Sequence, residues 1–392
     1  MSEEARARSL PLGGEDAALF RPRVQEPWTV ERRTGQFRGR LLGRDEVGLA
    51  IRLYREASFN QLTAEQWDWR FFQRNPELAF VSGVFTPEGR LIALNPMTVR
   101  PVWILGREQL AAQACDTLVH SDYRGGGRVY AFLMRFGFDM LWAYGMHFGF
   151  GGGATAEAAA VGKRLGNYHS LFDMAVYERR LSLRLALGRR AGAAGGAAAK
   201  LLDGLRPHRR LQRHGGLEIR AAAQAGPEFD RLWQRKRERY TVVLRRDARE
   251  LRWRWFENPV PSEMLAAWRG GELEGYIVLR HHPDPGGPAR LTTVLDLFTG
   301  LEPEVDEALL AAAARVARAS GSDFLHYAAC PGASAAALLR RAPWRPARKQ
   351  VDRVVTAPYP YAARDSAVLP EFDAAMHGQN WYYCQGDSDF LD

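Results

Sequence analysis

Residues 67–76 read WDWRFFQRNP, and residues 251–259 read LRWRWFENP. With one deletion, Trp69, Arg70, Phe72, Asn75 and Pro76 match Trp253, Arg254, Phe256, Asn258 and Pro259, an agreement that marks an internal duplication. The text after each copy runs in parallel. ELAFVSGVFTPEGRLIAL and EMLAAWRGGELEGYIVL each set two apolar runs around a turn, the pattern of a β-hairpin. Further on, ACDTLVH and TVLDLFT read as strands that place Asp116 opposite Asp296. A long apolar-periodic helix, a short strand (HFGFG, DFLHYAA) and a second helix (AEAAAVGKRLG, ASAAALLRRA) follow in both copies. The order βαββαβα, twice, predicts an α/β chain of two tandem domains. Each would be a mixed central β-sheet flanked by helices, with its ligand at the ends of adjacent strands. The aromatics of the Trp-Arg-Phe element are expected to be core residues on one helix face.

Boundaries follow from the repeat and from composition: a lead-in over 1–38, a first domain over 39–180, a linker over 181–216, a second domain over 217–358 and a tail over 359–392. The 392 residues suffice for two cores, and 46% hydrophobic with 25% charged residues is the balance of a water-soluble globular protein. No run of eighteen apolar residues occurs and MSEEARARSLPLGGED lacks the apolar core of a signal peptide, so a cytoplasmic location is expected. Cys115, Cys330 and Cys384 are widely separated without CxxC spacing, and the histidines lack metal-ligand spacing. Neither a disulfide framework nor a metal is expected. The net charge of +9 is concentrated in residues 178–220, which hold eleven Arg or Lys against Glu178, Asp203 and Glu218. A basic linker explains this stretch; contact with nucleic acid or an anionic surface is the less favoured alternative.

The chemistry is densest at residues 114–140, ACDTLVHSDYRGGGRVYAFLMRFGFDM, where a strand runs into a glycine-rich turn and a helix. Gly125, Gly126 and Gly127 let the backbone approach a ligand, and the first helical turn offers unpaired N–H groups and a positive dipole end. Arg124 and Arg128 flank the glycines and suit phosphate, while Val129, Phe132, Leu133, Phe136 and Met140 form an anchoring apolar stripe. Taken alone, three glycines also fit an ordinary tight turn.

In context, VHSDYRGGG followed by an apolar helix resembles the pyrophosphate-binding motif of the GNAT N-acetyltransferases, commonly Gln or Arg, two residues, Gly, one residue, then Gly or Ala. Arg124 and Gly127 match its first and fourth positions, and Val129 departs from the sixth. RLGN at 164–167 resembles the family's helix end beside the thioester. The resemblance covers most of residues 39–180 by element order and residues 217–358 more faintly. It implies an N-acyltransferase with acetyl-CoA or another acyl-CoA as cosubstrate, lying in the splay between two central strands. Leu118, Val119, Arg124, Gly125, Gly126, Gly127, Arg128 and Val129 would hold it, the pantetheine arm pairing with the strand ACDTLVH. In the second copy the aligned stretch is GLEPEVDEALL, where Gly300 stands alone and Glu302, Glu304 and Asp306 would repel a pyrophosphate, so that domain reads as degenerate.

Direct attack of an amine on a thioester asks for a base, an oxyanion donor and an acid for the thiolate. Asp116 is the first candidate base, with Leu118 and His120 on its strand face. Because the copy without the loop retains Asp296, Asp116 reads equally as a framework residue. His120 is a second candidate, histidine being the side chain suited to proton transfer near neutral pH, with a packing or hydrogen-bonding role as its alternative. The tyrosine acid that many GNAT enzymes carry is replaced here by Gly162, and Tyr168 or a tyrosine from elsewhere, the C-terminal tail being one source, is the expected substitute. In the tail QNWYYCQGDSDFLD, Tyr382, Tyr383, Asp387 and Asp389 would hold the acceptor amine, or else the tail simply packs. The acceptor expected is a small molecule, an amino sugar or a polysaccharide precursor. Two alternatives stand: aminoacyl transfer from charged tRNA by a Fem-type tandem architecture, which would use the basic linker, and a CoA-binding pseudoenzyme with a scaffold or sensor role.

Overall fold

The computed structural model describes residues 19–59, 62–74, 79–152, 156–165, 168–184, 187, 216–358 and 369–388. It forms two units, one of Met1–Leu171 with Arg353–Gly378, the other of Phe172–Asp352 with Gln379–Asp392. Each is a mixed α/β sheet unit, as the duplicated element order requires.

Unit 1 contains β1 (Arg32–Thr34), β2 (Phe37–Leu41), α1 (Val47–Glu56), α2 (Ala64–Asp68), β3 (Phe80–Phe85), β4 (Leu91–Ile104), β5 (Arg107–Ala114), β6 (Leu118–Val119), α3 (Arg128–Ala143), β7 (Phe148–Gly152) and α4 (Ala156–Leu165). Its strands run in the order β1-β2-β3-β4-β5-β7, antiparallel except for the parallel pair β5–β7. The predicted hairpin over 77–94 is β3–β4. All of β4 is buried, as its near-continuous apolar run LIALNPMTVRPVWI demands. On α3, Val129, Leu133, Phe136 and Met140 of the expected stripe are buried, and Phe132 packs partly buried beside them.

Unit 2 contains most of β8 (His169–Arg180), then β9 (Glu218–Ala222), α5 (Pro227–Lys236), β10 (Val242–Leu244), α6 (Ala248–Leu251), β11 (Glu263–Arg269), β12 (Glu272–Pro283), β13 (Arg290–Phe298), α7 (Pro303–Ala319), β14 (Phe324–Ala329), α8 (Ala336–Leu339), the start of β15 (Trp344–Pro358), and β16 (Trp381–Tyr382); α9 (Leu369–Ala375) falls in unit 1. The order β8-β14-β13-β12-β11-β9 is antiparallel apart from β13–β14. The second helix of this copy, expected over ASAAALLRRA, shortens to α8.

The boundaries expected at 180 and 358 need correction. Residues 172–180 complete the unit 2 sheet through β8–β14, and Val354–Pro358 of β15 pair antiparallel with β7 in unit 1. Each sequence half thus supplies the closing strand of the other unit's sheet. A local hydrophobic pattern identifies a strand but not its partner, so this exchange has no sequence signature.

The Trp-Arg-Phe element takes the same form in both copies: a capped short helix that widens into one π turn. Thr63 and Gln66 cap α2 reciprocally before the turn Trp69–Gln73, and the Asp247 carboxylate accepts the Glu250 N–H before the turn Arg252–Phe256. Trp67, Trp69, Phe71 and Phe72 are buried as expected, and so is Arg70. Asn75 and Pro76 lie outside the described residues.

Candidate functional site

The strand leading to the glycine turn is broken by a bulge. β4 pairs Met97 with Ala114 but Leu94 with Leu118, so one extra residue sits at 115–117. Asp116, at the bulge, has φ 42°, a left-handed conformation uncommon for a residue with a Cβ. Two buried side chains hold it there: Tyr54 donates its hydroxyl to the Asp116 carbonyl at 2.8 Å, and Arg70 Nη1 donates to Asp116 Oδ2 at 2.8 Å. The Arg70 side chain is only 4% exposed.

The bulge opens the sheet. β5 and β7 pair at Ala112–Gly149 and Gln113–Phe150, and after that point Leu118 and Val119 have β4 as their only strand neighbour among the described residues. Their other backbone edge faces the divergence between two parallel strands. An extended ligand with amide groups fits such an edge, since main-chain hydrogen bonds would complete it.

The edge leads directly into the turn. His120 caps it, Nδ1 accepting the Asp122 N–H at 3.3 Å, and Arg124 Nε donates to the Val119 carbonyl at 2.9 Å. Gly126 and Gly127 both have φ 69°, which a side chain would strain, and α3 starts at Arg128. Around Gly125 and Gly126 nothing approaches within contact distance of a Cβ, whereas at Gly127 a Cβ would meet Leu165 Cδ1 at 2.8 Å. The Arg128 side chain makes no ion pair among the described residues, and the unpaired amides of the first turn of α3 lie beside it. Val129, the departure from the motif, packs into the core with Val84, Ile92 and Leu133 and leaves the turn unobstructed.

Of the three catalytic candidates, Asp116 is engaged with Arg70 and His120 caps the turn, its Nε2 lying 3.2 Å from Arg90 Nη2. Tyr168 stands apart from them. Its N–H donates to the Gly162 carbonyl at 3.2 Å, and its ring fills the space next to Gly162: a Cβ on Gly162 would lie 2.2 Å from Tyr168 Cδ2. Its hydroxyl shares a hydrogen bond with Tyr130, on the first turn of α3. Burial, and next the neighbouring Tyr130 phenol with that bond, hold the Tyr168 pKa well above the ordinary phenol value, so it is a protonated donor at neutral pH.

No protein-family model and no curated protein matches the sequence. Solved structures do match. A GCN5-related N-acetyltransferase from Kribbella flavida is 19% identical over 83% of this chain and 72% of its own, with a TM-score of 0.57. A conserved protein from Enterococcus faecalis described as a probable N-acyltransferase is 14% identical over 84% and 74%, with a TM-score of 0.60. The N-myristoyltransferase of Saccharomyces cerevisiae with bound myristoyl-CoA is 11% identical over 91% and 93%, with a TM-score of 0.56. The chain has the GNAT fold.

In the second GNAT-like copy the acceptor residues expected in the tail are otherwise employed. Tyr382 donates its hydroxyl to the Leu297 carbonyl, Tyr383 donates to Ser388 Oγ at 3.3 Å, and Asp387 is paired with Arg246. All three are buried, which corrects the expectation that they hold a substrate amine; Asp389 lies outside the described residues. Burial pushes the Cys384 thiol well above its usual pKa and Cys330 up to about 11, which removes both as nucleophiles at neutral pH. Most of the basic linker, residues 188–215, also lies outside the described residues. Among the described residues no helix is long and apolar enough to cross a membrane.

Arg70, Tyr54 and Tyr130 were missed from sequence. Arg70 did carry a signal, as the one charged residue matched by another within a duplicated aromatic run.

Proposed function

We propose that the protein is an acyl-CoA-dependent N-acyltransferase, with its donor site on unit 1, that transfers an acyl group directly to an amine of a small molecule, an amino sugar or a polysaccharide precursor. The observation that carries this reading is the continuity of an open strand edge, Leu118–Val119, with the left-handed glycines 126–127 and the free amides at the start of α3. The edge along Leu118 and Val119, whose Val119 carbonyl already accepts from Arg124 Nε, would hold the pantetheine arm by its remaining backbone groups, and Gly125 to Arg128 the pyrophosphate.

In the transfer, the acceptor amine attacks the thioester carbonyl, the C–S bond breaks, and the thiolate takes a proton. Tyr168 is the proton donor, kept protonated by its burial and by Tyr130. Asp116 holds the bulge that opens the edge. Its carboxylate is bound to Arg70, so the amine gives up its proton to water. Acetyl is the acyl group expected from the family resemblance, and the myristoyl-CoA in the yeast neighbour makes chain length the first variable to test.

The test is calorimetric titration with acetyl-CoA and longer acyl-CoAs on the wild type and on Gly125→Glu, followed by free-thiol release over a panel of amines. Gly125→Glu has room for its side chain and no left-handed backbone to strain, and it sets a carboxylate against the phosphates, so binding falls at least about tenfold. Undiminished binding in that variant would overturn the site.

A further inference from the structure

Both units have diverging parallel strands; in unit 2 the gap is filled, whereas among the described residues Leu118 and Val119 of unit 1 pair with β4 alone. β13 and β14 pair from Leu291–Phe324 to Val294–Tyr327 and then separate. The bulge is present here too: β12 pairs Val278 with Asp296 and Leu279 with Val294, leaving Leu295 extra. Into this divergence runs residues 381–388 of the same chain. Cys384 bridges antiparallel to Ala329 at the end of β14, and the Tyr382 hydroxyl reaches the Leu297 carbonyl on β13. Gly386 lies so close that a Cβ would stand 2.7 Å from the Leu295 carbonyl and 2.4 Å from the Trp255 ring. Asp387 fixes the end of the segment by pairing with Arg246, which also holds the Asp296 carboxylate at 3.1 Å. Trp381 and Tyr382 pair parallel with Val242 and Val243.

The helix start in unit 2 is likewise satisfied from within. Lys236 and Arg239 both bind the Glu302 carboxylate, Tyr240 accepts the Gly300 N–H at 3.0 Å, and Thr299 donates to Asp306 at 2.7 Å. A carboxylate and its cations occupy the place where unit 1 leaves glycines and open amides.

We propose that residues 381–388 are a built-in occupant of the unit 2 strand cleft, standing where unit 1 takes an external ligand, and that Glu302 is the internal counterpart of the ligand's anion. Unit 2 then has no vacancy for acyl-CoA, and the chain binds one molecule. The stoichiometry rests on the proposed donor site; the occupancy of the cleft does not.

Thiol labelling decides the occupancy. Cys330 and Cys384 are both 1% exposed beside the segment, and Cys115, 2% exposed in unit 1, serves as the internal control. The full-length wild type, Gly386→Val and the milder Asp387→Asn are treated with a maleimide and read residue by residue by mass spectrometry. Gly386→Val cannot seat the segment, so labelling of Cys384 and Cys330 rises about tenfold or more while Cys115 stays protected. Asp387→Asn gives a smaller rise with the same selectivity. Unchanged labelling in both variants overturns the proposal. So does equal labelling of all three thiols in both, which would make the segment ordinary core. Equilibrium dialysis of acetyl-CoA against the wild type gives one bound molecule per chain, and two would overturn the proposal. Zero would remove only the donor reading, the cleft being decided by the labelling.

Discussion

Asp116→Ala separates a framework role from a base more sharply than any other substitution. The Arg70 guanidinium is 4% exposed and the Asp116 side chain 13% exposed, so removing the carboxylate leaves a buried cation without this partner. Breaking one side of such a pair costs about 3–5 kcal/mol. Alanine also keeps a Cβ at φ 42°, a conformation that costs about 1 kcal/mol where no side-chain group supports it. Asp116→Gly relieves that second contribution and should be roughly 1 kcal/mol less damaging than Asp116→Ala. Arg70→Met combined with Asp116→Gly removes both charges and recovers about 2 kcal/mol of the loss, because the buried cation that lost its carboxylate is gone too. Urea unfolding followed through the buried tryptophans Trp67 and Trp69 of unit 1 measures all four proteins. In kinetics the framework role appears mainly as weaker acyl-CoA binding, since the bulge sets the open edge. If Asp116→Asn instead left stability and acyl-CoA affinity intact and lowered kcat by about a hundredfold or more, Asp116 would be the base and the framework argument would be refuted.

Three further outcomes are expected. Tyr168→Phe lowers kcat by about a hundredfold or more with acyl-CoA binding retained, and in the wild type no loss of rate on the alkaline side traces to this phenol, because its pKa lies well above the ordinary value; a pH-rate series on both proteins checks this. Gly162→Ala drives a methyl group into the Tyr168 ring and reproduces much of the Tyr168→Phe rate loss, although its own side chain carries no chemistry, and equal rates for Gly162→Ala and wild type would count against Tyr168. In unit 2, burial raises Asp306 to about 6 from an ordinary 3.8. The fold therefore prefers the protonated acid, and its stability is greatest below about pH 4 for this group and declines as pH rises towards 6. Asp306→Asn should gain on the wild type by up to about 3 kcal/mol between pH 4 and pH 7 in denaturation midpoints, and a difference that does not change with pH would contradict the assignment.

The sequence carried the architecture because the duplicated features are local. Hairpins, apolar helix stripes and a glycine turn each leave a pattern within about fifteen residues, and β3–β4, α3 and the turn at Gly125–Gly127 all appear as read. Features that depend on distant partners were not legible. The exchange of β8 and the end of β15 between units and the pairing of Arg70 with Asp116 each join residues whose proximity only the folded sheet creates. The tail shows the same limit from the other side. Its tyrosines and aspartates have the composition of an amine pocket, yet Tyr382 and Asp387 meet Leu297 and Arg246, and composition alone does not distinguish a substrate cation from an internal one.

The matched aspartates show which part of the duplicated design is fixed. Asp116 and Asp296 both sit at the bulge where parallel strands part, and each binds a buried arginine. The arginines are not equivalent: Arg70 comes from the Trp-Arg-Phe turn, whereas Arg246 precedes α6, and Arg254, the residue aligned with Arg70, donates to the Ser388 carbonyl instead. A bulge exposes backbone groups and leaves one residue outside the ladder, so a charged anchor beside it fixes the strand's divergence. Had the carboxylate been kept for proton transfer, the copy with no glycine turn would have no use for it. Its retention with a different cation places the requirement on the geometry of the opening. The chemistry of the opening then depends on what fills it, an external ligand proposed for unit 1 and residues 381–388 in unit 2.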